Sequence, residues 1–206
     1  MIAIVDYKVG NFGSVKNMLK KIGREAVLTS NPQEIERASH LILPGVGRFD
    51  HGMNTLRKMD LIEPLQAAFH SGKKPILGIC MGMQMMVSHS EEGDAEGLGW
   101  FKGRVQKFHF PEDRSFRVPH MGWNEVSVKK ENPLFKGLEE DSSFYFVHSY
   151  AVHLDEAAGV AATTNYGIDF VSALGGGLVW GVQFHPEKSH KFGMRLLRNF
   201  IDGVSS

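Results

Sequence analysis

The sequence predicts an α/β fold: a mostly parallel, doubly wound central sheet with helices on both faces and a β-rich C-terminal half. Three observations predict it. Before residue 98, short apolar, β-branched runs alternate with stretches whose apolar residues recur at helical spacing. A glycine-flanked cysteine stands where one such run meets the next helix. Beyond residue 98 the pattern changes to short strands separated by turns.

Residues 2–6 ("IAIVD") form a short run suited to a strand buried on both faces. Asn11 then offers an N-cap for a helix in which Val15, Met18, Leu19 and Ile22 share a face, and Gly23 stops it. "AVLTS" (26–30) and "HLILPG" (40–45) read as the second and third strands. One helical stretch carries Met53, Leu56, Leu61, Leu65 and Phe69 and ends at "SGKK" (71–74). "PILGI" (75–79) is a fourth strand, and "MGMQMMVSHS" (81–90) reads as a helix after it. Strands follow over 103–110, 123–130, 142–150, 159–167, 169–177 and 178–186. A last helix over 190–202 carries Met194, Leu197 and Phe200. The whole chain, residues 1–206, reads as one domain.

Composition narrows the function. Lys+Arg and Asp+Glu both number 23, so no basic field is available for nucleic acid or an anionic membrane. No apolar run approaches the length of a membrane span. "MIAIVDY" lacks a basic start and a cleavage site and reads as a strand, not a signal peptide. A single cysteine forms no internal disulfide, which points to a reducing, cytoplasmic setting.

That cysteine carries the sharpest signal. A lone thiol is most often a small buried hydrophobe. Here Gly78-Ile79-Cys80-Met81-Gly82 has the form Gly-x-nucleophile-x-Gly between a predicted strand and a predicted helix. Such a bend is strained, and flanking glycines remove the β-carbons that would collide in it. The side chain would then project above the sheet at a helix N-terminus, whose partial charge favours thiolate. The Met81 amide would supply half of an oxyanion hole.

A thiolate needs a base and a proton donor, and ten histidines compete for that role. His51, His70, His89 and His190 lie in polar stretches. His185 follows the strand "LVWGVQF", with Glu187 two residues on. If the extended direction persists through Pro186, both side chains fall on one side of the backbone, and Glu187 can orient the imidazole. The plainer alternative is a surface His-Pro-Glu turn. No metal motif is present; His148 and His153 are scattered candidates only.

These residues resemble the class I, triad-type glutamine amidotransferases over nearly the whole chain. "GICMGMQ" (78–84) is similar to their nucleophile elbow and "QFHPE" (183–187) to their base and orienting acid. The finer likeness is to the glutaminase subunits of imidazole glycerol phosphate synthases. It rests on "YKVGNFGSV" (7–15), "LPGVGRFDHGM" (43–53), "VPHMGWNEV" (118–126) and "HSY" (148–150).

The resemblance implies a flavodoxin-like fold, no cofactor, and hydrolysis of L-glutamine through Cys80, His185 and Glu187. It places Gln84, His148, Ser149 and Tyr150 around the substrate and Gly47 near its carboxylate. Independently of it, the strand "HLIL" ends beside the elbow in a doubly wound sheet, so the Val46 amide in the loop that follows is the expected second oxyanion donor beside Met81. The resemblance also implies a heterodimer with a (β/α)₈-barrel cyclase subunit that receives the ammonia. Asn11 and Lys188 are then polar contacts that report partner state. Pro119, Met121 and Trp123 form an apolar turn that suits an interface anchor, although a tryptophan that caps the core is the bland alternative.

Ammonia in neutral water is mostly ammonium and not a nucleophile. The sequence has no Walker-type loop and no Gly-x-Gly-x-x-Gly, so the acceptor site is expected on another polypeptide. His190, "FDHGM" and "FYFVHSY" lean instead to paralogues that feed ammonia through a similar barrel to a sugar-amidating enzyme. Two rival classes remain: a stand-alone cysteine γ-glutamyl hydrolase and a non-catalytic binding subunit.

Overall fold

The computed structural model describes residues 1–110, 116–129, 131–138 and 142–204. In chain order the first half comprises β1 (Ile2–Val5), α1 (Phe12–Lys21), β2 (Ala26–Thr29), α2 (Pro32–Arg37), β3 (His40–Gly45), α3 (Phe49–Lys58), α4 (Ile62–Ser71), β4 (Ile76–Cys80), α5 (Met81–Gln84), β5 (Val87–Ser90) and β6 (Ala95–Glu96). The second half comprises β7 (Phe101–Lys107), β8 (His120–Glu125), β9 (Ser127–Val128), β10 (Ser143–His148), β11 (Tyr150–Leu154), β12 (Val160–Tyr166), β13 (Ile168–Gly176), β14 (Val179–Val182) and α6 (His190–Gly203). The fold is the expected α/β sandwich. The predicted strand over 123–130 reaches residue 130, which lies outside the described residues.

The main sheet has the order β2-β1-β3-β4-β14-β13-β11-β7-β5-β6, with β12 paired to β13 and β9 to β12. Strands β1 to β4 and β14 are parallel, and β13, β11 and β7 continue antiparallel. Because side chains alternate along a strand, Ile2 and Ile4 enter one core while Ala3 and Val5 enter the other. Helices α1 and α6 cover the first core with Val15, Leu19, Leu197 and Phe200. Ile35, Leu56 and Leu65 of α2, α3 and α4 cover the second. Each such buried side chain contributes roughly 1.5–3 kcal/mol. β8 and β10 form a separate two-stranded sheet.

Several elements depart from expectation: β6 and β11 beyond Tyr150 were not foreseen, and the stretch from 123 is divided between β8 and β9. The single helical stretch through Met53 and Phe69 is two helices, because Asp60 turns to φ 54° between them. Pro64 explains the break: inside a continuous helix its ring would meet the carbonyl four residues back, at Asp60, whereas the first turn of α4 tolerates it. The segment 81–90 is not one helix. Only Met81–Gln84 is helical, and Val87–Ser90 is drawn into the sheet beside β7 and β6. Helix α2 was not foreseen, although Asn31-Pro32 announces it: the Asn31 side chain accepts from the Gln33 amide at 2.9 Å, with proline at the first helical position. Asn11 occupies the N-cap position of α1, but its side chain makes no capping bond there.

Candidate active site

The elbow is built from two close approaches and one strained residue. Cys80 ends β4 at φ 54° and ψ −113°, a conformation that costs a non-glycine residue about 1–3 kcal/mol. A Cβ on Gly82 would run into the Leu43 carbonyl oxygen, and one on Gly78 would sit 2.8 Å from the Gly82 carbonyl group. The glycines thus let the turn lie flat against β3. Helix α5 is a single turn, so the expected macrodipole behind the thiol is reduced to its free N-terminal N–H groups.

His185 is fully buried, and its Nδ1 lies 2.7 Å from Glu187 Oε1. The expected route through an extended Pro186 is corrected: residues 186–188 form a 3₁₀ turn, which brings residue 187 back toward 185. The Ser189 hydroxyl donates to the His185 carbonyl at 2.6 Å and braces that turn. Burial opposes charging of this ring. A Cys80 thiolate, which also reaches it as a hydrogen-bond acceptor, and the Glu187 carboxylate outweigh burial and lift the imidazole to about 10. With that thiolate and Glu187 beside it, His185 is held as an imidazolium. His185 Nε2 and Glu187 Oε2 find no nitrogen or oxygen partner among the described residues, and the Cys80 sulfur is the acceptor left to Nε2.

Cys80, Met81, Gln84, Val46, Gly47, His148, Ser149, Tyr150 and His185 all line one cavity of about 300 Å³. Glu187 stands behind His185, outside the lining. Gly47, at φ 95°, needs glycine for the turn after β3. Gln84 is buried, not half-exposed, because its Nε2 bonds the Tyr150 carbonyl at 3.1 Å and Gln183 Oε1 at 3.0 Å. Two residues were missed. Among the described residues Glu92 is the one acidic side chain lining the cavity, and it takes the Phe49 amide on Oε2 at 2.9 Å. Gln183 reaches the Cys80 sulfur from below the cavity. Its position two residues before His185 in the strand was the available signal.

The partner-face residues divide. Pro119 lines the cavity mouth, while Met121 and Trp123 point outward from β8, 62% and 48% exposed. Trp123 is thus not a core cap; it stacks on His190 with centroids 5.4 Å apart. Lys188 Nζ sits 5.3 Å from the centroid of the Tyr145 ring. Asn11 is partly buried at the start of α1.

His148 is held away from any metal role by two bonds. The Tyr150 carbonyl can only accept, so His148 Nδ1 carries the proton and donates at 2.7 Å. Its Nε2 then accepts from His120 Nδ1 at 3.0 Å. Burial pushes His148 down to about 3 and His120 down to about 4. Both stay neutral in the native state, while unfolded histidine charges near 6.5. Below that value the unfolded chain binds more protons, so stability falls as pH drops. A urea midpoint that declines steadily from pH 6.5 to 5, before carboxylates titrate, is expected. A flat midpoint over that range contradicts a neutral pair.

A strained strand–helix cysteine beside a carboxylate-bound histidine is the equipment of a thiol-dependent acyl-transfer enzyme. The chain belongs to the class-I glutamine amidotransferase family, whose profile matches residues 3–204. It is 49% identical over 201 residues to imidazole glycerol phosphate synthase subunit HisH 2 of Methanococcus maripaludis, covering 98% of each chain. It is 48% identical to HisH 2 of Pseudomonas aeruginosa, covering 99% of this chain and 100% of that one. Among solved structures, PurLQS from Thermotoga maritima superposes with a TM-score of 0.76 over 99% of this chain and 98% of that one, at 17% identity, a likeness of fold alone. No helix among the described residues is long and apolar enough to cross a membrane.

Proposed function

We propose that this chain is the glutaminase subunit of an imidazole glycerol phosphate synthase, hydrolysing L-glutamine and passing ammonia to a (β/α)₈-barrel cyclase subunit. The buried His185–Glu187 pair beside the strained Cys80 carries the reading, and relatives named as subunits of that synthase support it. Cys80 attacks the side-chain carboxamide carbon. The Met81 and Val46 amides receive the oxyanion, and His185 gives its proton to the departing ammonia. Neutral His185 then takes a proton from water, which releases glutamate. Glu187 keeps the ring oriented through both steps. Glu92 faces the cavity where the substrate's ammonium group needs an anion.

The partner site follows from β8 and β10. Met121 pairs with Val147 and Trp123 with Tyr145 in their register, so four apolar side chains share one outward face at the cavity mouth. Trp123→Ala is expected to weaken binding of the barrel subunit by about 2 kcal/mol or more. A calorimetric dissociation constant equal to the wild type's, with unfolding unchanged, rules out this anchor.

The alternative acceptor, an intermediate in sugar amidation, rests on the likeness of His190, "FDHGM" and "FYFVHSY" to such paralogues. His190 adopts φ 45° and stacks on Trp123 within this face, so the docking surface carries an unusual side chain. Glutamate release is the deciding measurement, taken alone, with the histidine-pathway barrel and its nucleotide, and with the alternative barrel. Stimulation by the first pair supports the histidine-pathway reading. Full activity without any partner supports a stand-alone hydrolase, and no activity in any arm supports a binding subunit.

A further inference from the structure

Gln183 is fully buried, and its main chain is pinned by a bond from its amide to the Ser172 carbonyl at 2.9 Å. Its carboxamide lies between two groups. Oε1 faces Gln84 Nε2 at 3.0 Å, and Nε2 faces Cys80 Sγ at 3.7 Å. The two ends of an amide have the same shape, so the chemistry of the neighbours decides which faces sulfur. The Tyr150 carbonyl is a pure acceptor, and Gln84 must present its nitrogen to it. The other hydrogen on that nitrogen meets an oxygen, which is Gln183 Oε1. Gln183 is left with its N–H pointing at Cys80. His148 donates to the same Tyr150 carbonyl, which holds the start of this chain in place.

We propose that Gln183 is a further catalytic residue: a buried, fixed amide donor to the Cys80 sulfur that favours the thiolate over the thiol. The inference rests on Cys80 being the nucleophile, as in the function proposed above. A hydrogen bond to a charged acceptor is roughly twice as strong as one to a neutral acceptor. The N–H therefore stabilises sulfur when it is anionic: before attack, and again when the thioester is hydrolysed. In that second step water adds to the thioester carbon, its proton goes to His185, and the C–S bond breaks. The electron pair moves to sulfur, and the Gln183 N–H donates to the thiolate that forms. His185 faces the same sulfur as a charged ring, and Gln183 adds a fixed amide donor to it.

The test uses the single cysteine of the 206-residue chain, so alkylation by iodoacetamide reports on Cys80 alone. Gln183→Glu keeps an oxygen for Gln84 and the same shape, but it removes the donor and adds a negative charge. Gln183→Met removes the donor without adding charge. Both variants are expected to alkylate about tenfold more slowly at pH 7, Gln183→Glu the more affected, and to converge on the wild-type rate at high pH. Convergence separates a smaller thiolate fraction from a blocked or displaced thiol, which would stay slow at every pH. Wild-type rates across the whole range in either folded variant overturn the proposal, and so does a uniform slowing. If neither variant folds, the wild-type side-chain amide protons of Gln183 decide the matter by NMR. They should shift as the thiol titrates and stay still in Cys80→Ala; a shift that persists in Cys80→Ala overturns the proposal. Neither readout needs glutamine or a partner, so an error in the assigned reaction shows only in the glutaminase assay.

Discussion

Cys80→Ser is expected to lower glutamine-dependent turnover by a factor of about 10⁴ or more. The loss should exceed what a poorer nucleophile alone would cause. His185 is held as an imidazolium, between the Cys80 sulfur and the buried Glu187 carboxylate. The Cys80 thiolate is the largest cause that raises this ring, so a serine, which does not ionise beside it, leaves no ion pair and no imidazolium ready to protonate the departing ammonia. The site is matched to a group that ionises beside it, and an alcohol does not. Synthesis by the assembled complex from added ammonia should remain nearly intact, since the substitution leaves the barrel's own site untouched. Triad members act as a unit, so adding His185→Ala to Cys80→Ser should cost little more. Steady-state glutamate release from single and double variants checks both points. Appreciable glutaminase activity in Cys80→Ser means that the nucleophile is another group.

Val46→Pro should lower the partner-stimulated rate by about 10²–10³, the loss that follows removal of one oxyanion donor. Gly45 and Cys80 are direct neighbours across β3 and β4, so the next peptide amide, that of Val46, is the second oxyanion donor proposed beside Met81. Val46 lines the cavity and is 37% exposed, at the point where the chain leaves the sheet. We propose that this peptide turns toward the site when partner and acceptor bind, which prevents wasteful release of ammonia. Proline removes the only hydrogen it could offer, whereas Val46→Ala keeps it and should remain fully stimulated. Because proline also restricts the loop, glutamine affinity is measured beside the rate. Normal binding with undiminished stimulated turnover in Val46→Pro would falsify this assignment of the second donor.

The elbow and the apolar turn leading into β8 were legible for different reasons. Gly78-Ile79-Cys80-Met81-Gly82 is a local constraint: the glycines are needed because the next turn of the same segment and β3 come too close for a side chain. Trp123 and Met121 were noticed as apolar residues in a polar region. Their outward direction became certain only when β8 paired with β10 and fixed which alternate residues face inward. The Glu187 orientation was right in outcome and wrong in route, since a 3₁₀ turn and not an extended chain brings it to His185.

By itself the sequence determined the alternation of strands and helices, the strained cysteine, and the His-Pro-Glu string, because each depends on residues a few positions apart. Pro64 and Asn31 carried local signals of the same kind, for a helix break and a helix start. Tertiary structure alone decided that Val87–Ser90 is a strand, since its pairing with β7 overrides a methionine-rich run that would otherwise continue a helix. It alone placed His120 against His148 and Gln183 between Gln84 and Cys80, contacts that join residues 28, 99 and 103 positions apart. Periodicity records which face of an element is apolar, but it holds no information on which distant polar group will meet which. Those pairings form because a buried donor must find an acceptor once the sheet has closed, and only the closed sheet sets which acceptors are within reach.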